Sequence, residues 1–414
     1  MNKVKLGEIL KIKHGFAFKS ENYVDESEYA LVTLANISST NNFQFNKDKT
    51  TFYGASFPND FILKEDDLIM PLTEQVVGLF GNTAFVPKMQ GITFVLNQRV
   101  GKVVPVDDKA DKYYLHYLLA TNLVKDQLEF RASGTRQRNI SPDDVYDVEV
   151  FLPDITTQRK IGKCLYDIEK KVNLNNAIND NLEQQAKLIY DYWFTQFDFP
   201  DENGKPYCSS GGKMVWNEQL KRNIPENWNV VPLLKLVSWE SNSQPPKSEF
   251  VYEPKEGYVR FIQNRDYDND THITYIPRTK NLSIVDRFDI LMDKYGDAGA
   301  VRYGIEGAFN VALGKICVHN PNYREYIRSF LGSDGIYKFL HNSCMASTRA
   351  SLSEANLAIL NVVVPDEKII LDYENFLHKI RVSILKNKDE TVELINLRDW
   401  LLPMLMNGQA TIAD

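Results

Sequence analysis

The sequence predicts an α+β protein: two similar mixed domains related by a pseudo-twofold axis, separated by two long helices forming an antiparallel coiled coil. Two observations carry this prediction, a degenerate internal duplication and a long helical stretch that closes each copy with the same apolar stripe.

The duplication is read from four matched segments. KVKLGEIL aligns with NVVPLLKL, pairing Val4 with Val231 and Leu6 with Leu233 at an offset of 227. DLIMP at Asp67 aligns with DILMD at Asp289 at an offset of 222, and VLNQRVGKVV aligns with AFNVALGKIC at 213, setting Asn97, Gly101 and Lys102 on Asn310, Gly314 and Lys315. GTRQRNIS aligns with ASTRASLS, and Pro153 with Pro365, at 212. The falling offset gives the first copy about fifteen extra residues spread over its loops.

Within each copy, short apolar or alternating runs such as ALVTLANI, DLIMP and GKVVPV are separated by Gly, Asn and Pro turn signals, so they read as strands. After Pro153 and Pro365 the period becomes helical, with Asp154 and Asp366 placed to cap the first turns. A 4,3 spacing from Ile161 selects Leu165, Ile168, Val172, Asn175, Asn179, Leu182, Ala186, Ile189 and Trp193. Adding 212 selects Tyr373, Leu377, Ile380, Ile384, Asn387, Thr391, Leu394, Arg398, Leu401 and Leu405, an apolar stripe broken by polar residues at the same place.

Apolar heptads require a facing helix, and a polar layer fixes register at some cost in stability. If the helices pair antiparallel about their midpoints, facing residue numbers sum to about 566, which sets Asn179 against Asn387 and Asn175 against Thr391. The alternative is two amphipathic helices that each pack only on their own domain. A helix of ~33 residues is ~50 Å long, more than the ~34 Å turn of B-DNA.

The expected boundaries are a first domain over 1–154, a helix over 155–195, a connector over 196–227, a second domain over 228–365, a helix over 366–406 and a tail over 407–414.

Composition excludes several classes of function. The chain has 414 residues, 43% apolar and 25% charged, enough for two cored domains. No apolar run approaches the ~18 to 20 residues of a membrane span, and the start lacks the apolar centre of a secretion signal, so a cytoplasmic chain without a membrane partner is expected. Its four cysteines form no CxxC pair and its six histidines no HxxxH pair, so they suggest neither a disulfide framework nor a metal site. A net charge of −7 counts against nonspecific coating of nucleic acid, but leaves room for a local track of Lys and Arg facing phosphates.

The segment YDYWFTQFDFPDENGKPYCSSGGKMVWNEQLKRNIPENW, from Tyr190 to Trp228, together with the closing LRDWLLPMLMNGQATI, closely resembles the specificity subunits of type I restriction-modification systems. The two-copy plan of domain plus helix extends that resemblance over nearly the whole chain. It implies a noncatalytic subunit with two target-recognition domains, each reading one half of an interrupted, asymmetric site in double-stranded DNA. It further implies that the helices hold the spacing and dock two modification subunits, which methylate adenine with S-adenosylmethionine. ATP- and Mg-dependent restriction subunits join for cleavage, leaving no cofactor on this chain.

Base readout in the major groove needs donors and acceptors that reach base edges. In the first reader the loop before the last strand offers Thr135, Arg136, Gln137, Arg138 and Asn139, and its match offers Ser347, Thr348 and Arg349. These loops either contact DNA or cap the following segment with their hydroxyls. A second pair of loops, Thr73 with Gln75 and Lys294 with Tyr295, follows the DLIMP and DILMD strands, with Gly78 and Gly299 close by; a plain hairpin turn is the alternative. Lys11, Lys13 and Lys19, and Asn264 with Arg265, are candidates for phosphate contacts, which position without specifying.

Catalytic motifs are absent or incomplete. Asn320-Pro321-Asn322-Tyr323 resembles the NPPY signature of adenine methyltransferases but departs at its third position, without an FxGxG loop for the methyl donor. Pro365-Asp366-Glu367-Lys368 begins a helix rather than holding Mg²⁺ from neighbouring strands. Gly211-Gly212-Lys213-Met214 lacks the spacing and hydroxyl of a phosphate loop. The competing readings are a single-chain DNA adenine methyltransferase, which methyl-donor binding would reveal, and a scaffold that binds only proteins.

Overall fold

The computed structural model describes residues 2–75, 77–134, 137–268, 272–345 and 351–412. The chain divides into two compact units, residues 1–173 with 391–414, and residues 174–390. Each unit holds one copy of the repeat and a segment of both long helices.

In the first unit, Asn2–Lys5 pairs antiparallel with Glu149–Leu152. One four-stranded sheet runs in the order Leu10–His14, Val100–Pro105, Leu68–Pro71, Ala84–Phe85. A second runs Tyr23–Val24, Phe52–Tyr53, Tyr29–Val32, Thr93–Leu96, its last pair parallel. Helices Lys112–Leu119 and Asn122–Arg131 cover the first sheet, and Leu6, Leu10, Met70, Leu115 and Leu119 form its core with Ile161 and Leu165 of one long helix and Leu405 and Met406 of the other. Burying each such side chain contributes about 1.5 to 3 kcal/mol.

The second unit repeats the plan. Asn229–Pro232 pairs with Asn361–Val364, and a sheet runs Val237–Ser241, Leu313–Val318, Ile290–Asp293, Val301–Arg302. The companion sheet again contains one parallel pair, Tyr258–Ile262 with Gly307–Phe309. Helices Arg324–Leu331 and Asp334–Met345 occupy the matching positions.

The residues that revealed the duplication have the same job in both copies. Lys102 Nζ lies 2.7 Å from Asp67 Oδ1, and Lys315 Nζ 2.9 Å from Asp289 Oδ2. Asn97 and Asn310 accept the backbone N–H two residues on, at 3.3 and 3.0 Å, and so turn the chain into the next strand. Gly101 pairs with His14 and Gly314 with Ser241. A Cβ at Gly101 would lie 2.6 Å from Ile12 Cγ2, and one at Gly314 2.0 Å from Trp239 Cζ2. A large side chain on the neighbouring strand fills the space over the glycine in each case.

The long helices span Ile155–Tyr190, followed by a π turn at Asp191–Thr195, and Glu367–Met406. Asp154 caps the first: the Thr157 N–H donates to its Oδ1 at 3.0 Å and the Thr157 hydroxyl to its Oδ2 at 2.7 Å. At Asp366 the backbone carbonyl serves instead, accepting the Ile369 and Ile370 N–H groups at 3.1 and 3.2 Å.

Within the second unit the two helices run antiparallel. Asn175 Nδ2 donates to Glu390 Oε2 at 2.8 Å, Asn387 Nδ2 to Asn179 Oδ1 at 2.9 Å, and Asn179 Nδ2 to the Ile384 carbonyl at 3.4 Å, so numbers rise on one helix as they fall on the other. Leu165, Val172, Asn175, Asn179, Ile380 and Ile384 are buried, and Ile168, Leu182, Asn387, Thr391 and Leu394 half-buried.

Polar contacts also join each reader to its helix. In the first unit Thr83 Oγ1 is 2.7 Å from His116 Nδ1, while Tyr117 donates to Glu169 Oε2 at 2.8 Å. Burial alone would raise the Glu169 pKa, but hydrogen bonds from His116 and Tyr117 outweigh it and hold the carboxyl below the usual range. The positions 212 residues on are Arg328 and Arg381, where Arg381 Nε donates to the buried Glu325 Oε2 at 3.1 Å and Arg328 also pairs with Glu325. The repeat conserves the place of the polar contact and changes its chemistry.

The segment 196–227, expected as a connector, packs into the second unit. Phe199 stacks on Trp228 at 4.7 Å and on Tyr207 at 4.7 Å, and Met214–Asn217 forms a hairpin with Arg222–Pro225. Its aromatic side chains bring enough apolar area to order a chain rich in turn residues. Among the described residues, no helix is long and apolar enough to cross a membrane.

Candidate nucleic-acid interface

The two candidate loops of the first reader come together. Arg138–Asn139 pairs antiparallel with Thr73–Glu74, and the Ser133 and Asn139 backbones exchange hydrogen bonds at 3.0 and 2.8 Å, closing the loop between them. Thr135 and Arg136 lie outside the described residues.

Side chains divide between those that hold this arrangement and those that face outward. Thr73 is buried and donates its hydroxyl to Asn139 Oδ1 at 2.9 Å. Glu74, also buried, accepts the Leu79 and Phe80 N–H groups at 3.0 and 3.3 Å. Arg138 donates to Glu74 Oε1 at 2.8 Å, to Glu129 Oε2 at 2.5 Å and to the Glu129 carbonyl at 2.8 Å. Glu129 Oε1 further accepts the Gly78 N–H at 3.2 Å. Thr73 and Arg138 therefore act on protein partners, whereas Gln75, Gln137 and Asn139 are exposed, Gln137 Nε2 lying 3.5 Å from Asn139 Oδ1.

Thr73 was expected on a loop, but its segment is a two-residue strand against Arg138–Asn139. The sequence distance between them hides that pairing. Glu129 and Glu74 were not anticipated as anchors. Their signal is an acid beside each candidate loop, which only the fold connects to Arg138.

The second reader repeats the junction. Leu352 N–H donates to the Lys294 carbonyl at 3.0 Å, as Ile140 N–H does to the Leu72 carbonyl at 3.0 Å in the first. Lys294 is half-buried and Tyr295 exposed, while Ser347, Thr348 and Arg349 lie outside the described residues. Beneath Tyr295, the buried Asp293 is held by Arg302 Nη2 at 2.9 Å and by an Asn264 hydrogen bond. Burial raises the Asp293 pKa beyond what these contacts offset. Asn264 thus has an internal partner, whereas Arg265 is exposed and its Nη2 lies 3.5 Å from the His272 carbonyl.

The candidate phosphate contacts are spread out. Lys11 is exposed over the Tyr146 ring at 5.3 Å, and Lys13 donates to the Asp60 carbonyl and lies 5.3 Å from the Phe61 ring. Lys19 is exposed, with Glu21 at 3.7 Å. Lys11 also donates to the Gly7 carbonyl at 3.3 Å.

Comparison with known proteins agrees with this architecture. Residues 1–184 match the family model described as "Type I restriction modification DNA specificity domain". The Type I restriction enzyme MjaIX specificity subunit of Methanocaldococcus jannaschii is 22% identical over 335 residues, covering 77% of this chain and 73% of the relative. The HindI specificity subunit of Haemophilus influenzae is 23% identical over 362 residues, covering 72% of this chain and 77% of the relative. In fold, the chain is similar to the crystal structure of a type-I restriction-modification S subunit from M. genitalium, with a TM-score of 0.67 at 15% identity over 98% of this chain and 95% of that one. The first copy thus matches a type I restriction modification DNA specificity domain, and across both copies the chain is similar to type I restriction enzyme specificity subunits.

Proposed function

We propose that each reader recognises one half of an interrupted, asymmetric site in duplex DNA, through the loops after Pro71 and Asp293 and before Ile140 and Leu352. The observation that carries this reading is the recurrence of the same loop junction in both units, once within the segment that matches a DNA specificity domain. Gln75, Gln137 and Asn139 supply donors and acceptors suited to base edges, with Arg136, Ser347, Thr348 and Arg349 as further candidates from sequence. Lys11, Lys13, Lys19 and Arg265 supply charge for phosphates, and Lys294 and Tyr295 border the second reader's loop.

The long helices, 36 and 40 residues, set the gap between the half-sites and carry two modification subunits. Methyl transfer from S-adenosylmethionine, and ATP- and Mg-dependent cleavage, belong to those modification and restriction partners. The chain works where they work, in the cytoplasm.

Methylome sequencing of a host that expresses this chain with its modification subunit tests the proposal. Methylated adenines in one two-part site with a fixed gap are expected. A single uninterrupted site would overturn it.

A further inference from the structure

The first reader exposes two apolar side chains beside its polar loop. Phe130 is 89% exposed and Val77 71% exposed. The helix Asn122–Arg131 buries Val124 and Leu128, and Phe130 lies about 200° around the axis from Leu128, so it points away from the core. Its neighbour Glu129 is fixed by three bonds, from Gly78 N–H and from the Arg138 guanidinium to both its side chain and its carbonyl. Phe130 therefore stands on an anchored backbone, three residues before the Ser133–Asn139 closure.

The second reader also exposes apolar side chains near its junction, although the position 212 residues on from Phe130 is Asn342. Met345, at the end of the matching helix, is 63% exposed, and Tyr295, on the matching loop, is 50% exposed. Two copies with different sequences thus keep large apolar groups in water on both sides of the loop junction, where a folded monomer gains nothing from them.

Resting on the DNA-reading function proposed above, we infer that Phe130 is a specificity-determining residue that packs on a thymine methyl group in the first half-site. The thymine methyl is the one apolar group on a major-groove edge, and a ring beside amide donors reads it while the amides read neighbouring polar edges. The anchoring acids Glu74 and Glu129 are both bound by Arg138, which offsets part of their charge beside this contact.

The test uses the purified full chain with its modification subunit and a library of random-sequence duplexes. The wild-type protein should select a two-part consensus. Phe130→Ala should lose a thymine from the first half only, with unchanged thermal unfolding. In a duplex of the selected site, replacing that thymine by uracil removes the methyl alone. It should weaken wild-type binding about fourfold, the effect of one buried methyl-sized group, and leave Phe130→Ala binding unchanged.

An unchanged consensus for Phe130→Ala, or equal uracil sensitivity in both proteins, overturns the inference. Loss of the modification subunit from Phe130→Ala with DNA selection intact also overturns it and assigns the ring to a protein contact. If the wild-type protein selects no consensus, the DNA-reading proposal itself fails.

Discussion

The polar layer between the long helices makes a quantitative prediction. Asn179 and Asn387 share a hydrogen bond of 2.9 Å, and Asn179 is buried and also donates to the Ile384 carbonyl at 3.4 Å. Asn179→Ala removes both bonds. At a net ~1 kcal/mol for the shorter bond and less for the longer one, the expected loss is about 1 to 2 kcal/mol. Asn387→Ala removes only the shared bond and leaves Asn179 one partner, for about 1 kcal/mol. The double variant should then lose less than the sum, with a coupling of about 0.5 to 1.5 kcal/mol. Urea unfolding of the four proteins measures this, with the m-value checked for constancy. Ser383→Ala, on an exposed face of the same helix, should show no coupling to Asn179→Ala. Additive losses at 179 and 387 would refute the facing pair.

Three further outcomes are expected. Gly314→Ala sets a Cβ 2.0 Å from Trp239 and should cost about 2 to 3 kcal/mol in denaturant unfolding, more than Gly101→Ala, whose Cβ meets Ile12 at 2.6 Å; equal effects would contradict the fit. Arg138→Ala leaves the buried Glu74 without its guanidinium and should lower the melting temperature along with DNA binding, whereas Gln137→Ala should alter first-half recognition at unchanged melting temperature; the reverse pattern would contradict the division of roles. Glu374 is raised by burial from 4.5 to about 7, so the folded state holds its proton more tightly than the unfolded chain. Its contribution is favourable at low pH and is lost as pH rises from about 4.5 to 7, so Glu374→Gln should flatten that decline, and an unaltered pH profile would contradict it.

Much of the architecture was legible because repeated residues do repeated work. Asp67 with Lys102 and Asp289 with Lys315 align because each pair ties the residue just before one strand to a lysine on the adjacent strand. Asn97 and Asn310 align because both are turn residues, and the heptad stripe is legible because helix pairing has a sequence period. The candidate site was less so. Two-residue strands such as Thr73–Glu74 carry no periodic signal, and their pairing with Arg138–Asn139 spans more than sixty residues. Arg138 reads as a free donor until Glu74 and Glu129 are seen beside it. Phe130 carries no distinct signal in the sequence because one apolar residue in a helix suggests core; only the burial of Val124 and Leu128 shows that it lies on the other face.

The claim that distance along DNA is encoded in helix length is tested most directly by inserting one heptad into each long helix at facing positions. Seven residues add ~10 Å, about three base pairs at ~3.4 Å each. Methylation mapping should return both original half-sites with the gap lengthened by about three base pairs. An unchanged gap in an active protein, or altered half-sites, would contradict the account.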